Sequence, residues 1–215
     1  MNLNRYKLLA GDASFRKFYR SKKNSIIVFS KKNKYSNLLV YDAINRCFNK
    51  NSIKAPKLKK EFYNENYIVI EDLGNETVFK ILKKKGKNKL SYFNQIIKLL
   101  IQMQSIKNRK VKNFRNQNYT IPKYDKKILI NEANLFCDWY VKNDLSKLKK
   151  KKFCKDFKKI IKELTLKLKL KDNIFVHRDF HVSNLMLVKN QIGLIDSQDA
   201  LIGNKAYDLA SLIDD

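Results

Sequence analysis

Cysteine is scarce in this 215-residue chain: Cys47, Cys137 and Cys154 are widely spaced and fit neither a disulfide framework nor a zinc-ligand pattern. No stretch approaches the roughly 18 apolar residues of a membrane span. The opening Met1-Asn2-Leu3-Asn4-Arg5-Tyr6-Lys7 also lacks the apolar centre of a secretory leader. The expectation is a cytoplasmic protein with reduced thiols and no membrane partner. Arginine is rare as well, with seven residues among 47 basic ones, although the formal net charge is +27. Base readout and bidentate phosphate clamping favour arginine. Here the lysines fall in runs such as Lys149-Lys150-Lys151-Lys152, among many Asn and Ile residues. That pattern indicates solvated faces in a compositionally biased chain, not a specific nucleic-acid surface. A Walker A sequence is absent, since no GKS or GKT occurs, and so is a GxGxxG loop.

What the chain does contain is enough apolar material for a core: 44% hydrophobic residues and 12% aromatics, which suits one domain or two small lobes sharing a cleft. The first 70 residues read as strands around one helix. Tyr6–Leu9, Phe15–Arg20 and Ser25–Ser30 are strand-like, Tyr35 to Phe48 has helical apolar spacing, and strands over Lys57–Tyr63 and Tyr67–Glu71 follow Ala55-Pro56. Glu71-Asp72-Leu73-Gly74 reads as a hinge. Beyond it the pattern is mostly helical. Buried stripes are expected at Phe93, Ile96, Ile97, Leu100 and Ile101 and at Phe157, Ile160, Ile161, Leu164 and Leu168, with a helix over Ile128–Trp139 between them. Residues 106–121 read as a connecting loop.

The chemistry concentrates in His177-Arg178-Asp179-Phe180-His181-Val182-Ser183-Asn184, followed by strands at Leu185–Val188 and Ile192–Ile195 and then by Asp196. An Asp, an Asn five residues on, and a second Asp after a hairpin match the spacing by which kinases hold a base and two Mg²⁺ ligands around a nucleoside triphosphate. Phosphoryl transfer runs through a loose transition state, so positioning and charge neutralisation carry most of its catalysis. Asp179 is the candidate base, and Asn184 and Asp196 are the candidate metal ligands. His177 reads as a structural brace, while His181 stands beside the base and is a candidate for substrate contact. Gly11, Ser14 and Phe15 lie in a turn that exposes backbone amides suited to phosphate, and Arg16 or Arg20 could reach phosphate from the next strand. Glu132 places a carboxylate on an otherwise apolar helix face. Either it accepts a substrate hydroxyl, with Trp139 as a flat wall for a sugar ring, or it pairs with an Arg or Lys.

These pieces resemble the aminoglycoside phosphotransferase/choline kinase superfamily, and within it the anomeric kinases of N-acetylmuramate and N-acetylglucosamine used in cell-wall recycling. The resemblance is carried in family order by Gly11-Asp12-Ala13-Ser14-Phe15-Arg16, Ile70-Glu71-Asp72-Leu73-Gly74 and Leu135-Phe136-Cys137-Asp138-Trp139-Tyr140. It continues through the run from His177 to Met186, Asp196-Ser197-Gln198-Asp199-Ala200 and Tyr207-Asp208-Leu209-Ala210-Ser211-Leu212. It implies an α+β, bilobal, protein-kinase-like fold: residues 1–74 as the ATP-binding lobe and hinge, and 75–215 as a helical lobe lacking the family's last helices. It further implies ATP and Mg²⁺ as cofactors, with Glu71 and Leu73 at the nucleotide and a sugar hydroxyl as acceptor. Asp208 would brace the catalytic loop, and Asp199 would either face the acceptor or cap a helix. The alternatives are another small hydroxyl substrate (an aminoglycoside, choline or homoserine) and an inactive nucleotide- or nucleic-acid-binding protein. The sequence departs from the pattern at three points: Phe29-Ser30-Lys31 gives no clear strand lysine for the phosphates, Lys31 being a candidate, the small-lobe helix offers no obvious glutamate to pair with it, and Ser197 replaces an aromatic residue.

Overall fold

Aromatic and β-branched residues alternate with polar ones through the first seventy positions, and they form strands. The computed structural model describes residues 5–9, 16–21, 24–84, 88–141, 146–168 and 173–214. Strands β1 (Lys7–Leu8), β2 (Arg16–Ser21), β3 (Ser25–Ser30), β4 (Leu58–Phe62) and β5 (Tyr67–Glu71) make one antiparallel sheet in the order β1-β2-β3-β5-β4. Helix α1 (Asn37–Lys50) is inserted between β3 and β4. Its Leu38 and Tyr41 join Ile26, Val28, Tyr63, Ile68 and Ile70 in a core on the sheet. One turn further on, Ile44, Cys47 and Phe48 belong to a second and larger core, with Phe175, Phe180, Leu185 and Leu194. One helix thus serves both halves of the molecule.

Beyond the hinge come α2 (Val78–Lys83), α3 (Lys89–Gln104), α4 (Lys126–Trp139), α5 (Lys147–Lys167) and α6 (Ala206–Asp214). The Asp125 carboxylate starts α4 by accepting from the Ile128 amide at 2.9 Å, an N-cap bond. Short strands frame the loop that carries the chemistry. Strand β8 (Ile174–Val176) pairs with β11 (Leu201–Gly203), and β9 (Leu185–Val188) with β10 (Gln191–Leu194). The α+β arrangement expected from the sequence is present, a small antiparallel sheet with one helix followed by a mostly helical half. Among the described residues, no helix is long and apolar enough to cross a membrane.

Three expectations need correction. Residues 106–121 are not simply a loop: β6 (Lys110–Lys112) and β7 (Asn118–Thr120) form a hairpin. Its turn is closed by Asn113 Oδ1, which accepts from the Arg115 and Gln117 amides at 2.9 and 3.2 Å. Polar side chains on both strands masked the alternation. On α3 the buried residues are Ile96, Leu99, Leu100 and Met103, while Phe93, Ile97 and Ile101 are exposed, so the buried face lies to one side of the expected stripe. On α5, Ile160, Leu164 and Leu168 at its end are exposed, while Phe157 and Ile161 are half-buried, Phe157 against Phe136 of α4. Helical periodicity is present there, but α4 covers only part of the stripe.

Candidate active site

The loop from His177 to Asn184 runs between β8 and β9, and its shape is set by buried groups behind it. Asp208 on α6, fully buried, accepts from the backbone N–H of His177 at 2.8 Å and of Arg178 at 3.0 Å. These bonds hold Arg178 at φ +77°, a conformation a non-glycine residue adopts only under local constraint. The His177 ring is fully buried, stacked on Phe48 with centroids 6.2 Å apart. Burial pushes its pKa down to about 4, so it is neutral near pH 7 and serves packing. Glu132 links the loop to α4, with one oxygen accepting from Arg178 and the other from the Tyr124 hydroxyl.

The loop then folds on itself. The His181 amide donates to the Asp179 carbonyl at 3.1 Å, and the Asn184 amide to the His181 carbonyl at 2.9 Å. Asn184 Nδ2 donates to the same Asp179 carbonyl at 3.1 Å and lies 3.1 Å from His181 Nε2. With its amide nitrogen so engaged, Asn184 has Oδ1 to offer a cation. The β9–β10 hairpin brings Asp196 back beside it, since the Ile195 amide donates to the Asn184 carbonyl at 3.1 Å. Asp196 adopts a left-handed conformation, φ +58° and ψ 41°. The hairpin also needs Gly193, where an added Cβ would lie 3.2 Å from both Leu73 and the Lys54 carbonyl, against which the chain forms a parallel bridge. Gly193 therefore seats the hairpin directly against Leu73 and Lys54.

Asn184 and Asp196 line a cleft roofed by the sheet, and Asp179 lies close enough to Asp196 to feel its charge. The cleft is lined by Phe18, Ile26, Tyr41, Ile70, Leu73 and Met186, among others. Burial raises the pKa of Asp179, and the negative charges of Asp196 and Asp199 raise it further. An amide oxygen and a carboxylate form a hard-oxygen pair that suits Mg²⁺, which keeps several sites for phosphate and water. The residues present fit Mg²⁺ bound together with a polyphosphate.

The other candidates distribute as follows. Gly11, Ser14 and Phe15 lie outside the described residues. Arg16 is nearly buried, donating from Nη1 to Asn37 Oδ1 at 2.9 Å and from Nη2 to Asp196 Oδ1 at 3.3 Å. Lys31 sits exposed past the end of β3 and is not among the cleft-lining residues. Glu71 lines the cleft but is ion-paired to Lys54 at 2.6 Å, and Leu73 lines it as a buried apolar residue. Asp199 takes a bond from Gln198 Nε2 at 2.7 Å and lies close enough to Asp179 to act on it electrostatically. Trp139, at the end of α4, is 72% exposed. The departure at Ser197 has a local explanation, because its buried hydroxyl donates to Asn45 Oδ1 at 2.7 Å. The sequence reading missed Asn37, Tyr41 and Asn45. Their four-residue spacing places them on one face of α1, which was the available signal. Arg20 serves the hinge: it bonds Asp72 at 2.6–2.8 Å and the Gly74 carbonyl at 2.7 Å.

A family model described as "Phosphotransferase enzyme family" matches residues 5–215. The N-acetylmuramate/N-acetylglucosamine kinase of Neisseria meningitidis serogroup B is 28% identical over 211 residues, 96% of this chain and 60% of that protein. Its counterpart from Pseudomonas aeruginosa is 26% identical over 208 residues, 96% of this chain and 58% of that protein. The chain thus spans about three-fifths of the length of these curated relatives. Among solved structures, the gentamicin complex of aminoglycoside phosphotransferase APH(2'')-IIa superposes with a TM-score of 0.69 at 16% identity, covering 95% of this chain and 68% of that one. ADP-bound APH(2'')-Ib gives 0.67 at 15%, covering 97% and 70%. At these identities the likeness shows a shared fold.

Proposed function

The chain belongs to the phosphotransferase enzyme family, and from that premise we propose that it is an ATP-dependent kinase of a small hydroxyl compound. The acceptor we favour is the anomeric hydroxyl of N-acetylmuramate or N-acetylglucosamine, in the cytoplasm. One observation carries the reading: the β9–β10 hairpin returns Asp196 to Asn184 at an apolar cleft, and Asp179 stands on the same loop within electrostatic reach of Asp196. The curated relatives bearing that sugar-kinase name support the choice of acceptor.

In this reading Asp179 accepts the proton of the sugar hydroxyl as its oxygen bonds to phosphorus. Its raised pKa makes it a stronger base than a solvated carboxylate. Asn184 Oδ1 and the Asp196 carboxylate are the ligands for Mg²⁺, which when bound supplies positive charge at the transferred phosphoryl group. The sheet and Leu73 cover the nucleotide base, with Glu71 at the hinge. Gly11, Ser14 and Phe15 are assigned to the phosphates on their sequence. His181, Asp199 and Trp139 face the acceptor. With both oxygens taken by Arg178 and Tyr124, Glu132 positions the catalytic loop and does not bind the sugar itself.

A panel of sugars, aminoglycosides, choline and homoserine incubated with ATP and Mg²⁺, with products read by mass, tests the proposal. The expected product is the 1-phosphate of one of the two amino sugars. Absence of any phosphorylated acceptor, with ATP binding retained, would instead identify an inactive nucleotide-binding protein.

A further inference from the structure

We infer that Arg16 is the phosphate-gripping cation of this site and that it works by exchanging partners, holding Asp196 without nucleotide and the nucleotide's phosphates with it. The inference rests on the kinase reading above. In protein kinases the gripping cation is a lysine on the third strand, held by a glutamate from the small-lobe helix. Here β3 reads Ser-Ile-Ile-Val-Phe-Ser and contains no lysine. Lys31, just past its end, is solvent-exposed.

Register places a substitute on the neighbouring strand. Arg16, the first residue of β2, pairs with Ser30, the last of β3. Its side chain is 4% exposed, and its guanidinium carbon lies 5.9 Å from the centroid of the Tyr41 ring. Helix α1 thus meets this cation with an amide, Asn37, and an aromatic face, Tyr41. The nearby carboxylate on α1, Asp42, is paired to Arg46 at 2.7 Å. Asn37 and Tyr41 fix where the guanidinium sits without neutralising it. Asp196, one of the two proposed metal ligands, is set against it at 3.3 Å.

A carboxylate that turns to Mg²⁺ gives up strength in its bond to arginine. The phosphates that arrive with the cation offer the guanidinium oxygens of matching geometry, which arginine grips through parallel N–H donors. A lysine–glutamate pair comes already neutralised. Arg16 is instead paired with a carboxylate that the metal also claims, so its turn towards the phosphates is coupled to Mg²⁺ binding. Two consequences of opposite sign follow. Removing Arg16 weakens binding of phosphate-bearing nucleotides, and it strengthens binding of a divalent cation alone, because Asp196 loses its competitor.

The test measures affinities for ADP with Mg²⁺, for adenosine, and for Mn²⁺ without nucleotide by calorimetry on the full chain. It compares wild type with Arg16→Gln and Arg16→Ala, each first checked for a cooperative thermal transition. Glutamine retains donors for Asn37 and Asp196 without the charge and keeps the test open if alanine prevents folding. Expected are a roughly 10- to 100-fold loss for ADP, the worth of a charge-assisted hydrogen bond, an adenosine affinity within about twofold, and tighter Mn²⁺ binding. Arg16→Lys should recover part of the ADP affinity. Unchanged ADP binding in folded variants, or equal losses for ADP and adenosine, overturns the assignment and leaves the kinase reading standing. A wild-type protein that binds neither ligand overturns both.

Discussion

Exchanging Asp208 for asparagine keeps the shape of the side chain and removes a charge from beneath the catalytic loop. In the folded protein this carboxylate is fully buried and accepts two backbone N–H bonds, yet burial outweighs them and raises its pKa from 3.8 to about 6. A shift of roughly two units corresponds to about 3 kcal/mol at about 1.4 kcal/mol per unit. The folded pKa is the higher one, so the unfolded chain releases this proton first as pH rises. The contribution is therefore fully present below pH 4 and is lost by about pH 6 to 7. Asparagine does not titrate. It keeps one acceptor but turns an amide towards a backbone donor, a roughly constant cost of about 1–3 kcal/mol. Urea unfolding of both proteins at several pH values between 4 and 7 reads the difference, in which the other titrating groups cancel. The variant should gain about 3 kcal/mol relative to wild type across that window. It should also turn over about 10²-fold more slowly, because the loop no longer holds Asp179 to within an ångström. A stability difference that stays flat from pH 4 to 7 would refute the picture of a buried, ionised Asp208.

Asp179→Asn should leave folding and ATP binding largely intact and lower turnover by about 10²–10⁴-fold; wild-type turnover in this variant would remove Asp179 as the base. Because the pKa of Asp179 is raised, wild-type kcat/KM should decline on the acid side at a pH above that of an ordinary aspartate, and a flat profile there would contradict it. Asn184→Ala and Asp196→Ala should both raise the Mg²⁺ concentration needed for half-maximal turnover, Asp196→Ala more so, since it loses charge as well as a ligand. Binding to random and structured oligonucleotides should be weak, insensitive to sequence and abolished by salt; tight, selective binding at about physiological ionic strength would promote a nucleic-acid role.

Much of this was legible from one dimension because the informative elements are local. The run from His177 to Asp196 fits in twenty residues, and a hairpin of that length can only return its end to its start. The strands of the small sheet also announced themselves, through Ile26–Phe29 and Tyr67–Ile70. Contacts across long separations were the hidden part. Arg16 meets Asp196 across 180 positions and Ser197 meets Asn45 across 152, and no local periodicity encodes such pairs. Glu132 is instructive in a different way. An isolated carboxylate on an apolar helix face signals that a polar partner must exist, but not whether that partner is Arg178 or a ligand. On α3 the expected stripe was offset because five apolar residues at helical spacing define a direction only when the surface that covers them is known.

The way α1 serves two cores has a regulatory consequence. In protein kinases the corresponding helix controls activity by moving into and out of place. Here the last turn of α1 is anchored in the larger core: Phe48 is fully buried, with its ring centroid 5.3 Å from that of Phe175 and stacked on His177. Swinging the helix outward would extract that ring, at a cost of about 3–5 kcal/mol by the measure of phenylalanine truncation. It would also strip the buried Ser197–Asn45 bond from the turn after Asp196. A phosphotransferase built this way has no idle gear at that position.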